Sequence, residues 1–438
     1  MNTKALFVAL SIAAAPIVSV AQVNCDTSTK LVCEFPVSAE TLSAQTFGAG
    51  AKAAALSTAV PINAAIAAQL TQLPIPSATV GVVSLRHKGS EVPTPWNNLG
   101  PVLTDRPDTV GRGHVFAGFS YQHFNFNALE GFSLSALPIA FSYSATIQTP
   151  QGTPDLQTYY GSMANKVRFQ LDQYVGIATV GATRTTDVSV IVPVNSISLS
   201  VVSSNFNAVT YDSLKNTYTP VGPAKGTTVA TSGSANGIGD VTLSVKQMVL
   251  GQDHNRPAAA LVGTFRIPSG DSFNYLGSGA LGGSLYGLFE YRARLAPHFK
   301  LGYQWNNTTK VLDLQGGATK RLPGGLQYAV GTDFRVNRQL TLAADLLGSQ
   351  FVNTPYFTKT TLHFNPPPAA NSGVPSTFQL VTTPANTYTT ENFSGGVKWS
   401  PLPHLVLFGN ALIQVNNLGL RSEVVPLAGI AYNFSKRE

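Results

Sequence analysis

The residues of this 438-residue chain that could do chemistry are charged side chains placed on every second position. In FEYRARLAPHFKLGYQW, residues 289–305, Glu290, Arg292 and Arg294 alternate with apolar neighbours, and the alternation resumes after Ala296-Pro297. A period of two predicts half-buried strands, and the interruption predicts the turn of a hairpin. Charges held on one face of such strands could bind or select a small solute.

The apolar face of these strands needs a partner, which is a core in a soluble protein and lipid in an outer membrane. Charged residues make up 11% of the chain, against about 25% in ordinary soluble proteins. Hydrophobic residues make up 44%, so small polar residues and glycine replace the missing charge. This balance suits a wall with one lipid face and one hydrated face, and it also suits a secreted β-sandwich.

The first residues predict export. A basic residue precedes an apolar run that ends in Ser19-Val20-Ala21, with small residues where a signal peptidase cleaves. We expect a signal peptide over 1–21. The alternative is an N-terminal anchor, but the run is shorter than the ~20 residues that a spanning helix needs. Cys25 and Cys33 are expected to form a disulfide in an oxidising compartment.

Alternating runs recur from about residue 112 to the end of the chain. Short connections, at ATRTTD, GQDHNR, LAPH, RVNR and SPLPH, alternate with long polar stretches near 127–164, 204–236, 268–284, 307–324 and 351–390. This alternation is typical of outer-membrane barrels, whereas a soluble sandwich would not alternate its loop lengths. We predict an all-β fold, a transmembrane antiparallel β-barrel of about 12 strands. The run GFSLSALPIAFSYS is assigned to the first long loop.

The segment ahead of the barrel, 22–111, differs in character. Ile62, Ile66 and Leu70 recur at helical spacing in an alanine-rich stretch, which predicts a short helix near 61–73. Its apolar stripe must be buried, and this favours a plug inside the barrel over a periplasmic location. The expected organisation is a signal peptide 1–21, an N-terminal segment 22–111, a barrel 112–434 and a short polar tail 435–438.

The polar faces of the predicted strands give the candidate lining of the lumen. These residues are Arg168, Lys246, Arg266, Glu290, Arg292, Arg294, Lys300, Asp333, Arg335 and Lys398. With Asp172, Asp240 and Asp345 they comprise eight basic and five acidic side chains. A net positive passage would select against small cations. Alternatively, the charges pair across strands, as Glu290 with Lys300, and fill the lumen.

Catalytic and nucleic-acid signals are weak in the sequence. GSGALG (277–282) matches G-x-G-x-x-G without a βαβ unit around it. The histidines are scattered, and His298 and His404 fall in short connections. The formal net charge is +7, but the basic residues are dispersed along strands. We expect no cofactor, metal site, nucleic-acid partner or enzymatic activity; a hydrolase built from distant residues is the open alternative.

Several stretches resemble one family of outer-membrane proteins. They include LGPVLTDRPDTVGRGHVFAGFSYQHFNFNALEG, VGATRTTDVSVIVPVNSISLSV, GIGDVTLSVKQMVL and FRIPSGDSFNYLGSGALGGSLYGLFEYRARLAPHFKLGYQWN. In these stretches the chain resembles the family named for the MetA pathway of phenol degradation. The resemblance implies an outer-membrane β-barrel that passes aromatic or other small hydrophobic solutes, and it carries over no binding residues.

We therefore expect an outer-membrane channel for the passive uptake of a small solute, with membrane lipid and that solute as its partners. The alternative function is a structural or surface-binding barrel with a closed lumen. The sequence does not indicate an oligomeric state.

Overall fold

The computed structural model describes most of the chain. The described residues are 25, 28–47, 49–70, 73–77, 99–148, 152–221, 227–251, 257–312, 319–382, 384–402 and 404–434. The predicted signal peptide and the polar tail lie outside the described residues.

Two helices precede a series of strands. The helices are α1 Glu34–Phe47 and α2 Ala49–Leu70. The strands are β1 Val115–Leu129, β2 Phe132–Ser133, β3 Leu137–Gln148, β4 Pro154–Gly181, β5 Thr186–Asp212, β6 Thr217–Val221, β7 Val229–Ile238, β8 Val241–Leu250, β9 Pro257–Ile267, β10 Gly282–Tyr291, β11 Leu295–Asn306, β12 Thr308–Thr309, β13 Lys320–Arg321, β14 Gly325–Arg335, β15 Leu340–Pro355, β16 Thr358–His363, β17 Thr377–Thr382, β18 Ala385–Leu402, β19 Leu405–Gln414, β20 Leu420–Ser422 and β21 Val424–Phe434.

Twelve of these strands close one antiparallel barrel: β1, β4, β5, β8, β9, β10, β11, β14, β15, β18, β19 and β21. Neighbours in this series pair with each other, and the last strand returns to the first through Val115 opposite Phe434 and Tyr121 opposite Ala428. In an open sheet, the backbone N–H and C=O groups of the two edge strands would lack hydrogen-bond partners in lipid, and closure of the barrel pairs them. The predicted twelve-stranded barrel is confirmed.

Short turns join the strands at the end that we call lower, and long connections lie at the upper end. In outer-membrane barrels these ends face the periplasm and the cell surface, respectively.

The run GFSLSALPIAFSYS contributes β3, which pairs with the upper part of β4 within the first long connection. The hairpin turn predicted at Ala296-Pro297 lies instead at 292–294. Pro297 fits inside β11 because the pairing of β11 with β10 begins at His298.

The outer face of the barrel is apolar over a belt in its lower part, which we call the membrane belt. Every barrel strand has at least one large exposed hydrophobic side chain, from Phe119 on β1 to Ile430 on β21. In the β10–β11 hairpin, Phe289, Leu301 and Trp305 point outward, as their alternation predicted. Lipid tails can solvate such a face, whereas water cannot.

β4 and β5 are 28 and 27 residues long, far longer than the 9–11 residues that cross a bilayer. The outer face of β4 changes from polar to apolar between Asp172 and Tyr174. The outer face of β5 changes at the same level, because Asp172 pairs with Ser196 and Tyr174 pairs with Val194. We call the parts of both strands above this level, 154–172 and 196–212, the outer extension.

The two helices pack against each other inside the upper half of the barrel, in contact with β3, β5, β7, β15 and β20. Gln69 on α2 donates to the Tyr388 hydroxyl at 2.5 Å, and Asn63 accepts from the Tyr275 hydroxyl at 2.8 Å. The short helix predicted near 61–73 is the second half of the longer α2. None of the helices described is long and apolar enough to span a membrane.

The chain at the start of α1 contacts the wall near β7, where the order of the strands is interrupted. β7 and β8 follow one another along β5, and among the described strands β9 pairs with β8 and β10. On the inner face of β7, the Thr231 hydroxyl donates to the Glu34 carbonyl at 2.8 Å. Lys30 pairs at 2.7 Å with Asp271, in the connection between β9 and β10. The start of the N-terminal segment is therefore attached both to β7 and to the connection between β9 and β10.

A disulfide joins Cys25 to Cys33 in this part of the structure, with Cα atoms 5.2 Å apart. Cys33 is buried and ends a single helical turn, Leu31–Cys33, directly before α1. The bond therefore ties Cys25 to the segment that enters the barrel.

Candidate luminal site

Residues 99–110 cross the lower mouth of the lumen, and we call them the strap. Their backbone reaches strands far apart in the barrel wall. The Leu99 N–H donates to the Thr341 hydroxyl on β15 at 3.0 Å, and the Val110 N–H donates to the Asp187 carboxylate on β5 at 2.9 Å. The strap is therefore anchored at both of its ends.

Buried ion pairs hold the middle of the strap. The Arg106 guanidinium donates to both carboxylate oxygens of Glu290, at 3.0 and 3.2 Å. Asp108 lies 2.9 Å from Arg106 and also pairs with Arg292. A bidentate contact fixes the orientation of both partners. Loss of Glu290 would leave the buried Arg106 with Asp108 as its remaining partner, so part of its charge would be uncompensated.

Two buried lysines of the wall bind the strap backbone. The Lys398 ammonium on β18 donates to the Leu99 carbonyl at 2.9 Å, and the Lys246 ammonium on β8 donates to the Arg106 carbonyl at 3.1 Å. Lys246 also lies 4.0 Å from Asp187. The alternation of β8 and β18 points these lysines inward, so the wall charges act as anchors for the strap.

His298 is buried in the lumen beside the strap, although the sequence placed it in a short connection. Its Nδ1 lies 3.6 Å from Asp333 on β14, and its Nε2 lies 2.5 Å from Asp345 on β15. Since the turn is at 292–294, His298 belongs to β11 and points inward on the same face as Lys300. Side chains from the three neighbouring strands β11, β14 and β15 thus form one polar cluster in the lumen.

A cavity of about 170 Å³ lies above the strap. Its lining is apolar at Leu73, Ile75, Leu103 and Ile191, polar at Thr242, Ser244, Thr264, Ser284, Gln304 and Gln327, and charged at Asp105, Arg266 and Lys300. The Lys300 ammonium lies 4.2 Å from the centroid of the Tyr286 ring. The Tyr286 hydroxyl donates to Asp105 at 2.6 Å. A cavity of about 60 Å³ shares Leu73, Ile75, Thr242 and Arg266 with it and extends toward α2.

The structure places seven of the ten residues predicted to line the lumen on the inner face of the wall. These are Lys246, Arg266, Glu290, Arg292, Lys300, Asp333 and Lys398. Arg335 ends β14 at the lower rim. Arg266 and Lys300 face the cavity, while most of the others contact the strap or one another.

Arg168 and Arg294 do not line the lumen. Arg168 is exposed on the outer face of the outer extension. Its neighbour Phe169 points inward and is fully buried, and adjacent residues of a strand point to opposite faces. Alternation separates two faces without saying which is inside, and above the membrane belt the outer face meets water. Arg294 is exposed in the turn after β10, where it lies 5.3 Å from the Phe334 ring and donates to the Arg335 carbonyl at 3.2 Å.

Among the described residues, the expected surplus of positive charge disappears once the strap is included. The basic residues of the lower lumen are Arg106, Lys246, Arg266, Arg292, Lys300 and Lys398. The acidic residues are Asp105, Asp108, Asp187, Asp240, Glu290, Asp333 and Asp345. The pair suggested between Glu290 and Lys300 is not formed among these residues, because Glu290 binds Arg106.

Sequence reasoning missed the strap, which carries the main partners of the luminal charges. Its stretch TDRPD (104–108) has three charged residues in five, in contrast with 11% charged residues in the whole chain. That contrast was an available signal. The partners were not accessible to local patterns, since Arg106 and Glu290 are 184 positions apart.

The closed antiparallel wall, the outward apolar belt and the charged lumen define an outer-membrane β-barrel. The model of a family described as putative MetA-pathway of phenol degradation matches residues 157–352. The resemblance expected from the sequence is therefore confirmed over this range, which begins in β4 and ends in β15. A comparison with curated protein sequences finds no match.

Solved structures with some similarity include two outer-membrane proteins. The COG4313 outer membrane channel from Pseudomonas putida F1 is 11% identical, with a TM-score of 0.44, 75% of this chain and 98% of that chain being covered. A Pseudomonas aeruginosa FadL homologue is 8% identical, with a TM-score of 0.27 and coverages of 73% and 89%. The fold assignment rests on the strand pairing of this chain itself.

Proposed function

We propose that the protein is an outer-membrane channel for the passive uptake of small aromatic or other small hydrophobic solutes. The cavity above the strap is the observation that carries this proposal. It lies within the membrane-spanning wall, and it combines apolar side chains such as Ile75 and Leu103 with polar groups of the wall. The family description, which refers to phenol degradation, supports aromatic solutes.

The lumen is occupied on both sides of this cavity, so passage requires a movement. The helices α1 and α2 fill the lumen above, and the strap crosses it below. Beside its buried Val102, Leu103 and Val110, the strap is held by ion pairs and hydrogen bonds, which water can replace when the strap leaves. Packing of α2 is largely apolar and has no such replacement. We therefore propose that the strap is the part that moves when a solute leaves the cavity toward the lower end.

A closed barrel with a structural or surface-binding role is the second candidate. The specific observation in its favour is the same filling of the lumen by the helices and the strap. Solute passage separates the two candidates, because a permanently filled lumen passes nothing in any variant that keeps its fold.

The test is uptake of a small aromatic solute that does not cross lipid unaided, such as benzenesulfonate, by liposomes that contain the mature protein. A Glu290→Gln variant, which removes one partner of the buried Arg106 pair, should release the strap and increase uptake above wild type. Arg294→Gln is the matched control, since it also removes a charge from the β10–β11 hairpin but lies outside the lumen. If folded wild type and Glu290→Gln both equal protein-free liposomes, the closed barrel is the correct function.

A further inference from the structure

Lys300 differs from the other cations of the lower lumen. The guanidinium and ammonium groups of Arg106, Lys246, Arg266, Arg292 and Lys398 each have a hydrogen-bond or carboxylate partner. Within the described residues, the Lys300 ammonium has neither a hydrogen bond nor a carboxylate within ion-pair distance. Its close contact is the face of the Tyr286 ring, at 4.2 Å from the centroid. A ring face attracts a cation but offers no acceptor atom.

The nearest acid of the strap is already engaged. Asp105 lines the same cavity, but one of its carboxylate oxygens accepts from the Ser77 hydroxyl and the other accepts from the Tyr286 hydroxyl at 2.6 Å. Tyr286 thus lies between the two charges, with its hydroxyl on Asp105 and its ring under Lys300. The Lys300 ammonium is left half-buried and directed at the cavity.

An ammonium in a partly dehydrated site favours a ligand with negative charge. A neutral solute would displace water from Lys300 without replacing its hydrogen bonds, and this is unfavourable. A carboxylate could accept a charge-assisted hydrogen bond from Lys300. The Arg266 guanidinium also lines the cavity, but Asp240 lies 3.6 Å from it and offsets its charge. Gln304 and Ser284 add neutral polar groups.

The remaining wall favours a ligand with an apolar body. Leu73, Ile75, Leu103 and Ile191 contribute apolar side chains to the lining. Its volume, about 170 Å³, is similar to that of a protein cavity of about 150 Å³ that holds benzene. An inorganic anion would fill the charged side and leave the apolar wall in contact with water.

We propose that this cavity binds small amphipathic carboxylates, of the size of an aromatic acid, with Lys300 as the partner of the carboxylate group. This inference rests on the proposed function and names a solute class for it. The apolar side chains of the lining contact the ring or alkyl body. Lys300 then acts as a specificity-determining residue, which distinguishes an acid from a neutral molecule of the same size.

The test compares binding of benzoate and benzyl alcohol to the mature protein in detergent micelles, followed by ligand-observed NMR. Lys300→Gln should weaken benzoate binding about tenfold, since a hydrogen bond to a charged group contributes on that order, and it should leave benzyl alcohol unchanged. Lys300→Arg keeps the charge and should restore most of the benzoate affinity. Lys359→Gln is the matched control, because Lys359 also lies over a ring, that of Phe132 at 5.0 Å, but outside the lumen.

Equal loss of benzoate binding in Lys300→Gln and Lys359→Gln would overturn the inference, because it would show a general charge effect. Benzoate binding that is insensitive to Lys300→Gln would overturn it as well. These outcomes are separate from the proposed function. If liposomes show no uptake while micellar protein binds benzoate through Lys300, the channel is wrong and the site stands. If uptake occurs without dependence on Lys300, the channel stands and the site is wrong.

Discussion

The β10–β11 hairpin and the outer extension of β4 and β5 alternate with the same period and face opposite ways. In the hairpin the apolar residues, such as Leu301, point outward and the charged ones point into the lumen. In the outer extension Phe169 and Ile197 point inward, while Arg168 and Ser198 point outward. The solvent outside each region explains the difference, because lipid surrounds the hairpin and water surrounds the extension.

The contents of the lumen differ between the two regions for the same reason. Above the membrane belt, the inner face is apolar and packs against the helices and against Tyr275 of the upper connection. Within the belt, the inner face is charged and binds the strap through ion pairs. The alternation of a strand therefore shows only that its two faces have different surroundings. The identity of each medium depends on the depth of the strand in the membrane and on what fills the barrel.

The largest expected effect tests the inward packing of the outer extension. Phe169 is fully buried and stacks on Phe126, with ring centroids 4.9 Å apart. Phe169→Ala should destabilise this part by about 3–5 kcal/mol, the usual cost of removing a buried aromatic ring. The neighbouring Arg168→Ala should change stability by no more than about 0.5 kcal/mol. Urea unfolding measures both, and a larger effect at Arg168 would reverse the assigned faces.

A second effect of similar size concerns the charged lumen within the belt. Glu290→Gln leaves Arg106 buried without its bidentate partner. Breaking a buried pair costs about 3–5 kcal/mol, and the cost here should lie at the lower end because Asp108 remains 2.9 Å from Arg106. We expect the loss to appear as faster hydrogen exchange of the strap and not as unfolding of the wall. Uniform acceleration across the wall strands, or none in the strap, would show that the pair does not hold the strap.

The next effect tests the lipid face of the hairpin. Leu301 lies in the middle of β11 and is 47% exposed, whereas Tyr291 ends β10 beside the turn. Leu301→Arg should reduce the free energy of folding into bilayers by about 2–4 kcal/mol, because a charge is placed in hydrocarbon. Ser198→Arg, on the outer face of the extension, is the control and should fold like wild type. Equal folding yields for the two variants would contradict a lipid boundary between these sites.

The smallest effect is a pH dependence at the upper end, outside the membrane belt. Burial raises the pKa of Glu130 from 4.5 to about 7, even though Phe357 N–H and the Tyr388 hydroxyl donate to its carboxylate. A raised pKa favours the neutral form, so its stabilising contribution is present at low pH and is lost as the pH rises through about 7. Exchange of the Phe357 amide, corrected for its intrinsic rate, should accelerate between pH 5 and pH 8 in wild type. Glu130→Gln should remove this dependence.

Much of the barrel could be predicted from the sequence, because period and loop length are local properties. The alternation of β8, β10, β14 and β18 placed Lys246, Glu290, Asp333 and Lys398 on the polar face, and the structure has all four inside. The turn of the hairpin was misplaced by two to four residues because Pro297 was taken as a break. Proline is tolerated in β11 where no pairing with β10 is lost.

The orientation of Arg168 and the role of the strap could not be predicted in this way. Arg168 points outward because helices fill the lumen beside Phe169 and because water lies outside at that height. Neither fact is encoded near residue 168. The contacts of the strap join residues such as Asp108 and Arg292 that are 184 positions apart. The position of a charged residue on an alternating strand does not indicate which distant residue it pairs with.

The outer-membrane barrel with its water-exposed outer extension is tested most directly by chemical labelling at two positions on the outer face of one strand. Arg168→Cys and Ala178→Cys both point outward on β4, one above the predicted membrane boundary and one within the belt. In intact cells, a membrane-impermeant maleimide should label Arg168→Cys and should leave Ala178→Cys unlabelled. In proteoliposomes, a probe at Ala178→Cys should be quenched by brominated lipid and one at Arg168→Cys should not. Lipid quenching at both positions, or surface labelling at neither, would contradict an outer-membrane barrel with a water-exposed outer extension.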